Sequence, residues 1–92
     1  MEIVFLGTGC PVVSTERYGP AQLVLAPESM GGAKVLVDCG SGVTQRLLAA
    51  GTPGRDLDAL LLTHLHSDHL VDLYQLIVSS WHQGRDRPLP VY

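Results

Sequence analysis

The sequence predicts an α/β fold of the α+β kind, and three of its features carry that expectation. Short apolar runs, Glu2 to Leu6, Ala21 to Ala26 and Lys34 to Val37, are separated by stretches rich in glycine and proline, as strands are. Two later segments, one from Val43 and one from about His69, place apolar residues at helical spacing instead. Between them the unbroken apolar run Ala59 to Leu62 has the character of a strand covered on both faces.

Taken in order, the first strand ends at Gly7-Thr8-Gly9, and Cys10 to Gly19 reads as a loop with Pro11 and little periodicity. The second and third strands are joined by the turn-rich connection Pro27 to Gly32, and Asp38-Cys39-Gly40 closes the third. The helix from Val43 to Ala50 puts Val43, Leu47 and Leu48 on one face, with Gly51 as its C′ residue. Thr52 to Asp58 is a loop before the apolar run. The second helix, from about His69 to Gln83, aligns Leu70, Leu73, Tyr74, Ile77, Val78 and Trp81 as a core stripe, with Asp72, Gln75, Ser79 and Gln83 opposite. Arg85 to Arg87 reads as a solvated turn, and Leu89 to Tyr92 begins a further strand.

Composition sets the outer bounds. With 46% hydrophobic and 16% charged residues in 92, the chain has a buried core and is not disordered. A domain of this size hides only about 60–65% of its unfolded surface, so the apolar excess has to be covered. The expectation is a single partial domain over residues 1–92, truncated at its C-terminus, that relieves its exposed apolar surface by forming a homo-oligomer. A net charge of −3 attracts no polyanion by itself, so a nucleic-acid role would need local charge or metal ions. No apolar run reaches the ~18–20 residues of a membrane span, and Glu2 stands where a secretory signal needs basic residues. A cytoplasmic location is expected. There Cys10 and Cys39, lacking metal or redox spacing, read as small buried hydrophobes.

The chemistry sits in His64-x-His66-x-Asp68-His69, which holds three of the four histidines and an aspartate within six residues. Imidazole and carboxylate are zinc ligands, and a local cluster presents them with little chain entropy. His64 and His66 converge on one point if the loop curls, while Asp68 and His69 address a second position beside it. Two metals ~3.5–4 Å apart are a common device for hydrolysing phosphate or acyl esters. Capping by Ser67 or Asp68 would explain one polar residue here and none of the histidines.

At these residues the chain resembles the metallo-β-lactamase superfamily, whose signature is H-x-H-x-D-H after a buried strand. Phe5-Leu6-Gly7-Thr8-Gly9 with Pro11, Val37-Asp38-Cys39-Gly40, Gln45-Arg46-Leu47-Leu48 and the strand into Thr63-His64 look like the opening of a ribonuclease Z-type member. The resemblance implies the N-terminal half of an αββα sandwich, a mixed sheet with two helices. It also implies His64 and His66 on one zinc and Asp68 and His69 on the other, two ions per complete site. Histidine at the second motif position favours zinc over the iron of di-iron relatives, with Mn2+ and Fe2+ as alternatives. Ser67 and Tyr18 stand where ribonuclease Z-type enzymes usually carry glycine and asparagine.

Other residues are placed by chemistry. Asp38 is either a second N–H acceptor for a ligand histidine or a plain turn aspartate; Thr63 either does similar work or ends the strand. Gly7-Thr8-Gly9 lacks the third glycine of a dinucleotide loop, and reads as a tight turn letting backbone approach the metal site. Arg17, the only cation of the first loop, is a candidate contact for a substrate phosphate. The leading expectation is a zinc-dependent phosphodiester hydrolase resembling tRNA 3′-processing endonucleases, with Asp68 as a metal ligand and proton acceptor and a tRNA precursor as substrate. The alternatives are a hydrolase of small phosphodiesters, sulfate esters or lactones, and an inactive, self-associating fragment carrying half a metal site.

Overall fold

A computed structural model describes residues 1–92. Strands β1 (Glu2–Gly7), β2 (Ala21–Leu25), β3 (Lys34–Val37) and β4 (Ala59–Leu61) form one sheet in that order. The first two pairings are antiparallel and β3–β4 is parallel, so the sheet is mixed. Connection length decides this. The short turn after β2 folds the chain straight back, whereas β3 and β4 are joined through helix α1 (Val43–Ala49), which returns the chain to the same end. Helix α2 (Leu73–His82) follows β4 and completes the expected pair of helices.

Register divides the sheet into two unlike faces. The row Val4–Leu23–Leu36–Leu60 faces the helices and joins Leu6, Val43, Leu47, Leu57 and Leu76 in the core. The rows Ile3–Val24–Val35–Ala59 and Phe5–Gln22–Val37–Leu61 lie on the other face, where Ile3 and Phe5 are exposed. The apolar run of β4 is therefore covered on one face, not two: Leu60 is buried and Leu61 is open. Its open side belongs to an apolar sheet surface of the kind that stacks on a second sheet. Val91 forms a single parallel bridge with Leu60, the start of the further strand expected at the end of the chain.

Gly51 closes α1 as its spacing predicts. Its φ is +79°, its N–H donates to Leu48 O, and Thr52 N–H donates to Leu47 O. This is the paired bond pattern of a Schellman motif. Leu48 departs from expectation: it is 60% exposed, because α1 turns only Val43, Thr44 and Leu47 inward.

The second helix departs further. Ser67–His69 forms a separate 3-10 turn, Leu70 leaves helical geometry at φ −139°, and α2 begins only at Leu73. The Asp72 N–H donates to Cys39 O, a long-range bond that replaces an intrahelical one. Leu76 and Ser80 are the residues α2 buries, packed where Gly54 leaves no side chain in the way. Tyr74, Ile77 and Trp81, expected in the core, are 80%, 52% and 70% exposed. The helix is apolar around more than half its circumference, and the Gly54–Asp56 turn and helix α1 cover the side that carries Leu76 and Ser80, not the stripe that spacing favours.

In the turn Arg85–Arg87, Asp86 and Arg87 are exposed as expected, but the two arginines are anchored. The Arg85 guanidinium donates to the carbonyls of Arg55, Leu57, Arg87 and Pro88, and Arg87 donates to Asp58 and Leu57. Arg85 thus ties the chain after α2 to the loop before β4. Arg85→Ala leaves several carbonyls without a donor and is expected to destabilise the chain by about 1–3 kcal/mol. Urea unfolding of that variant checks this; an unchanged midpoint would show the clamp to be idle.

Candidate metal centre

The site lies where β3 and β4 end side by side. Both strands run the same way, so Asp38 and Thr63 emerge together at one edge of the sheet, with Asp38 N–H bonded to Leu61 O. Asp38 is buried and holds φ +62°, a left-handed conformation that aspartate tolerates better than most residues. In this conformation its carboxylate becomes a hub. Oδ1 accepts the Thr63 N–H at 2.8 Å, the Thr63 hydroxyl donates at 2.8 Å to Oδ2, and His69 Nδ1 lies 2.8 Å from Oδ2. Burial by itself would raise the Asp38 pKa. The Thr63 amide, the His69 ring and the Thr63 hydroxyl outweigh it and hold the carboxyl below its usual range.

The proton positions follow. An ionised carboxylate only accepts, so His69 carries its proton on Nδ1 and leaves Nε2 with a free lone pair. The Thr63 hydroxyl spends its one proton on Asp38, so at 2.9 Å it accepts from His64 Nδ1–H. One buried aspartate thereby sets the tautomer of two histidines, directly and through Thr63. His64 packs against both His66 and His69, with ring centroids 4.6 and 4.1 Å away. The Nε2 of His69 faces Asp68 Oδ2 at 3.6 Å. With the ring neutral, Nε2 and Asp68 Oδ2 are two lone-pair groups at a spacing that suits a shared cation.

The donor types and tautomers fit zinc, yet no group of three or more His, Cys, Asp or Glu side chains is arranged to hold an ion. Neither Ser67 nor Asp68 caps a helix: the 3-10 turn has no side-chain cap, and Asp72 occupies the α2 N-cap position.

Gly7 and Gly9 serve backbone packing. A Cβ on either would strike the Tyr18–Gly19 backbone, and Gly19 in turn presses on Gly40 and Ser41. Three chain segments stack here without side chains between them, and the stack holds the 10–19 loop against the start of α1. Arg17 lies on that loop. Together with Asp68, Tyr18, Gln45 and Gln75 it lines a cleft of about 730 Å³ that reaches the motif at Ser67 and Asp68.

Two cysteines part company. Cys39 is buried as expected, and burial first, then Asp72 and Asp38, push its thiol up to about 12. Cys10 is exposed on the first loop, which carries too few apolar residues to bury it. At pH 8 iodoacetamide is expected to label Cys10 alone in the folded chain, read by mass spectrometry. Equal labelling of Cys39 would contradict the burial.

Comparison with known proteins follows the same lines. Residues 1–91 match the family model described as Anti-Pycsar protein Apyc1. The chain belongs to this family. It is 52% identical over 81 residues to the ribonuclease Z of Mycobacterium sp. (strain KMS), an alignment covering 88% of this chain and 27% of that protein. Among solved structures it is similar to human tRNase Z, short form, with a TM-score of 0.85 and 29% identity over 100% of this chain and 33% of that one. It is also similar to the metallo-β-lactamase fold protein YhfI from Bacillus subtilis, with a TM-score of 0.82 and 28% identity over 98% of this chain and 34% of that one. The fold is thus that of the metallo-β-lactamase superfamily, with ribonuclease Z-like sequence. The chain spans about a quarter to a third of the length of these relatives.

Sequence reasoning overlooked Asp72. It was assigned to the solvent side of α2, yet its Oδ2 accepts the Thr44 N–H at 2.7 Å across 28 residues. The available signal was indirect: α1 begins after Gly42, which has no side chain to cap it.

Proposed function

We propose that residues 1–92 are one part of a single catalytic domain, and that the complete site is a zinc-dependent hydrolase of phosphodiester bonds. In this proposal His64 and His66 serve one zinc and Asp68 and His69 the other, with Mn2+ or Fe2+ as alternative occupants. The observation that carries it is the tautomer control: Nδ1 of both His64 and His69 is hydrogen-bonded, which turns both Nε2 lone pairs outward. Bound zinc supplies Lewis-acid polarisation and an acidified water. The chain's own residues do the rest. Asp38 and Thr63 orient the imidazoles, the Asp68 carboxylate accepts the proton of the attacking water, and Arg17 on the wall it shares with Asp68 meets a phosphate oxygen. The ribonuclease Z and tRNase Z relatives favour a tRNA precursor as substrate and a cytoplasmic location. No helix is long and apolar enough to cross a membrane.

A second reading, turnover of small phosphodiesters, sulfate esters or lactones, is favoured by the cleft, whose one cation is Arg17, on a chain of net charge −3. A third, a non-catalytic chain that self-associates as a homo-oligomer, is favoured by the exposed Phe5, Tyr74 and Trp81. One experiment separates the three: cleavage of precursor tRNA beside turnover of bis-p-nitrophenyl phosphate, each with zinc and with chelator, on the complete protein. Zinc-dependent cleavage at the tRNA 3′ end is the expected result. Turnover of the small ester alone selects the second reading, and no turnover of either overturns the enzyme assignment.

A further inference from the structure

Helix α1 has an uncapped start. Its N-cap, Gly42, carries no side chain, and Thr44 N–H lies in the first turn, where no intrahelical acceptor exists. The missing acceptor arrives from the other helix: Asp72 Oδ2 takes this N–H at 2.7 Å. The backbone of Asp72 is engaged at the same time. Its N–H donates to Cys39 O at 3.1 Å, and its carbonyl receives Leu76 N–H at 2.8 Å as the first bond of α2. Cys39 N–H in turn donates to His69 O at 2.7 Å. Residues 69 and 72 are therefore stapled to the residue that follows Asp38, and the Asp72 side chain extends the staple to α1.

We propose that Asp72 is a positioning residue that fixes the turn bearing Asp68 and His69 against Asp38. The reason is geometric. The segment between the 3-10 turn and α2 is irregular, with Leu70 off helical geometry and only single-turn bonds along it, so beyond the Cys39 N–H bond to His69 O its course is set from its far end. Asp72 anchors its far end to two places that the core already holds, the buried Cys39 just past β3 and α1 through Thr44. With that end fixed, the His69 ring reaches Asp38 Oδ2 at 2.8 Å, and its Nε2 stands 3.6 Å from Asp68 Oδ2. What this positioning serves rests on the metal-site reading above; the positioning itself does not.

The test is therefore made without metal. In chain labelled with 15N-histidine, the His69 Nδ1–H held by Asp38 is read by NMR in wild type, Asp72→Asn and Asp72→Ala, together with amide exchange at Thr44, Leu23 and Leu36. Asp72→Asn keeps an acceptor for Thr44 and is expected to keep the His69 signal. Asp72→Ala is expected to lose or broaden that signal and to speed Thr44 exchange at least tenfold, with Leu23 and Leu36 in the sheet still protected. An unchanged His69 signal in Asp72→Ala while Thr44 exchanges freely overturns the proposal. If Asp72→Ala does not fold, Asp72→Glu decides, since its carboxylate is displaced by one methylene. A joint shift of the Thr44 amide and the His69 ring supports the proposal, and a shift of Thr44 alone overturns it. A separate cobalt titration of wild type reports on the metal reading, so the two fail independently.

Discussion

Replacing His64 and His66 together by alanine is expected to remove metal from the complete protein's first zinc position. In the proposed centre each position draws two ligands from the motif, and a zinc ion is held by about four protein or solvent groups. Loss of both imidazoles leaves that position without any ligand from this segment, a deficit that neighbouring residues cannot supply: Thr63 is a hydroxyl already engaged with Asp38 and His64. Elemental analysis should find about two zinc ions per wild-type site and one or fewer in the variant. The fold should survive, because both histidines are exposed and outside the core. Unchanged zinc content in a folded variant would remove the metal assignment at these two residues.

Asp38→Ala is expected to show the largest loss of stability of any single change at the site. The substitution strands the Thr63 amide and the His69 Nδ1–H, and places alanine at φ +62°. One stranded buried donor costs about 1–3 kcal/mol and a left-handed residue about 1–2, so the sum is on the order of 2–5 kcal/mol. Set against a total of roughly 5–15 kcal/mol, that is a large fraction. Asp38→Asn tolerates the backbone and keeps an acceptor for Thr63, so its expected loss is about 1–2 kcal/mol. Asparagine also carries an NH2 group. Turned towards His69 in place of Oδ2, it would drive the ring to its other tautomer, visible in the 15N shifts of the imidazole. Because the Asp38 carboxyl titrates below its usual range, its contribution is present above the ordinary carboxylate pKa and lost as pH falls through the lower folded value. The acid limb of stability should accordingly be flatter in Asp38→Asn than in wild type. Equal stability of all three chains in urea would refute the hub.

Much of this was legible in the residues. Period-two and period-3.6 patterns depend on local geometry alone, so the order of four strands and two helices could be read along the chain. Gly51 could be assigned because a helix end needs a residue tolerant of positive φ at that one position. The His64-x-His66-x-Asp68-His69 cluster was legible for a similar reason: its donors are neighbours in sequence, so no long-range fold is needed to bring them near each other. Asp38 was legible only as a choice between two roles, since a partner 31 residues away leaves no local trace.

What the sequence determined by itself, then, is the set of elements, the Gly51 cap and the donor cluster, all of which arise from interactions within a few residues. Tertiary structure alone decided which apolar side of α2 is buried, because Leu76 and Trp81 are both apolar candidates and only the position of helix α1 and Gly54 selects between them. It also decided that Arg85 clamps the loop before β4 and that Asp72 caps a helix it does not belong to. These are hydrogen bonds between groups 28 residues apart, whose partners are set by where the chain crosses itself. A carboxylate or guanidinium has the same chemistry in solvent as in such a bond, and only the fold supplies the carbonyl or amide that gives it a role.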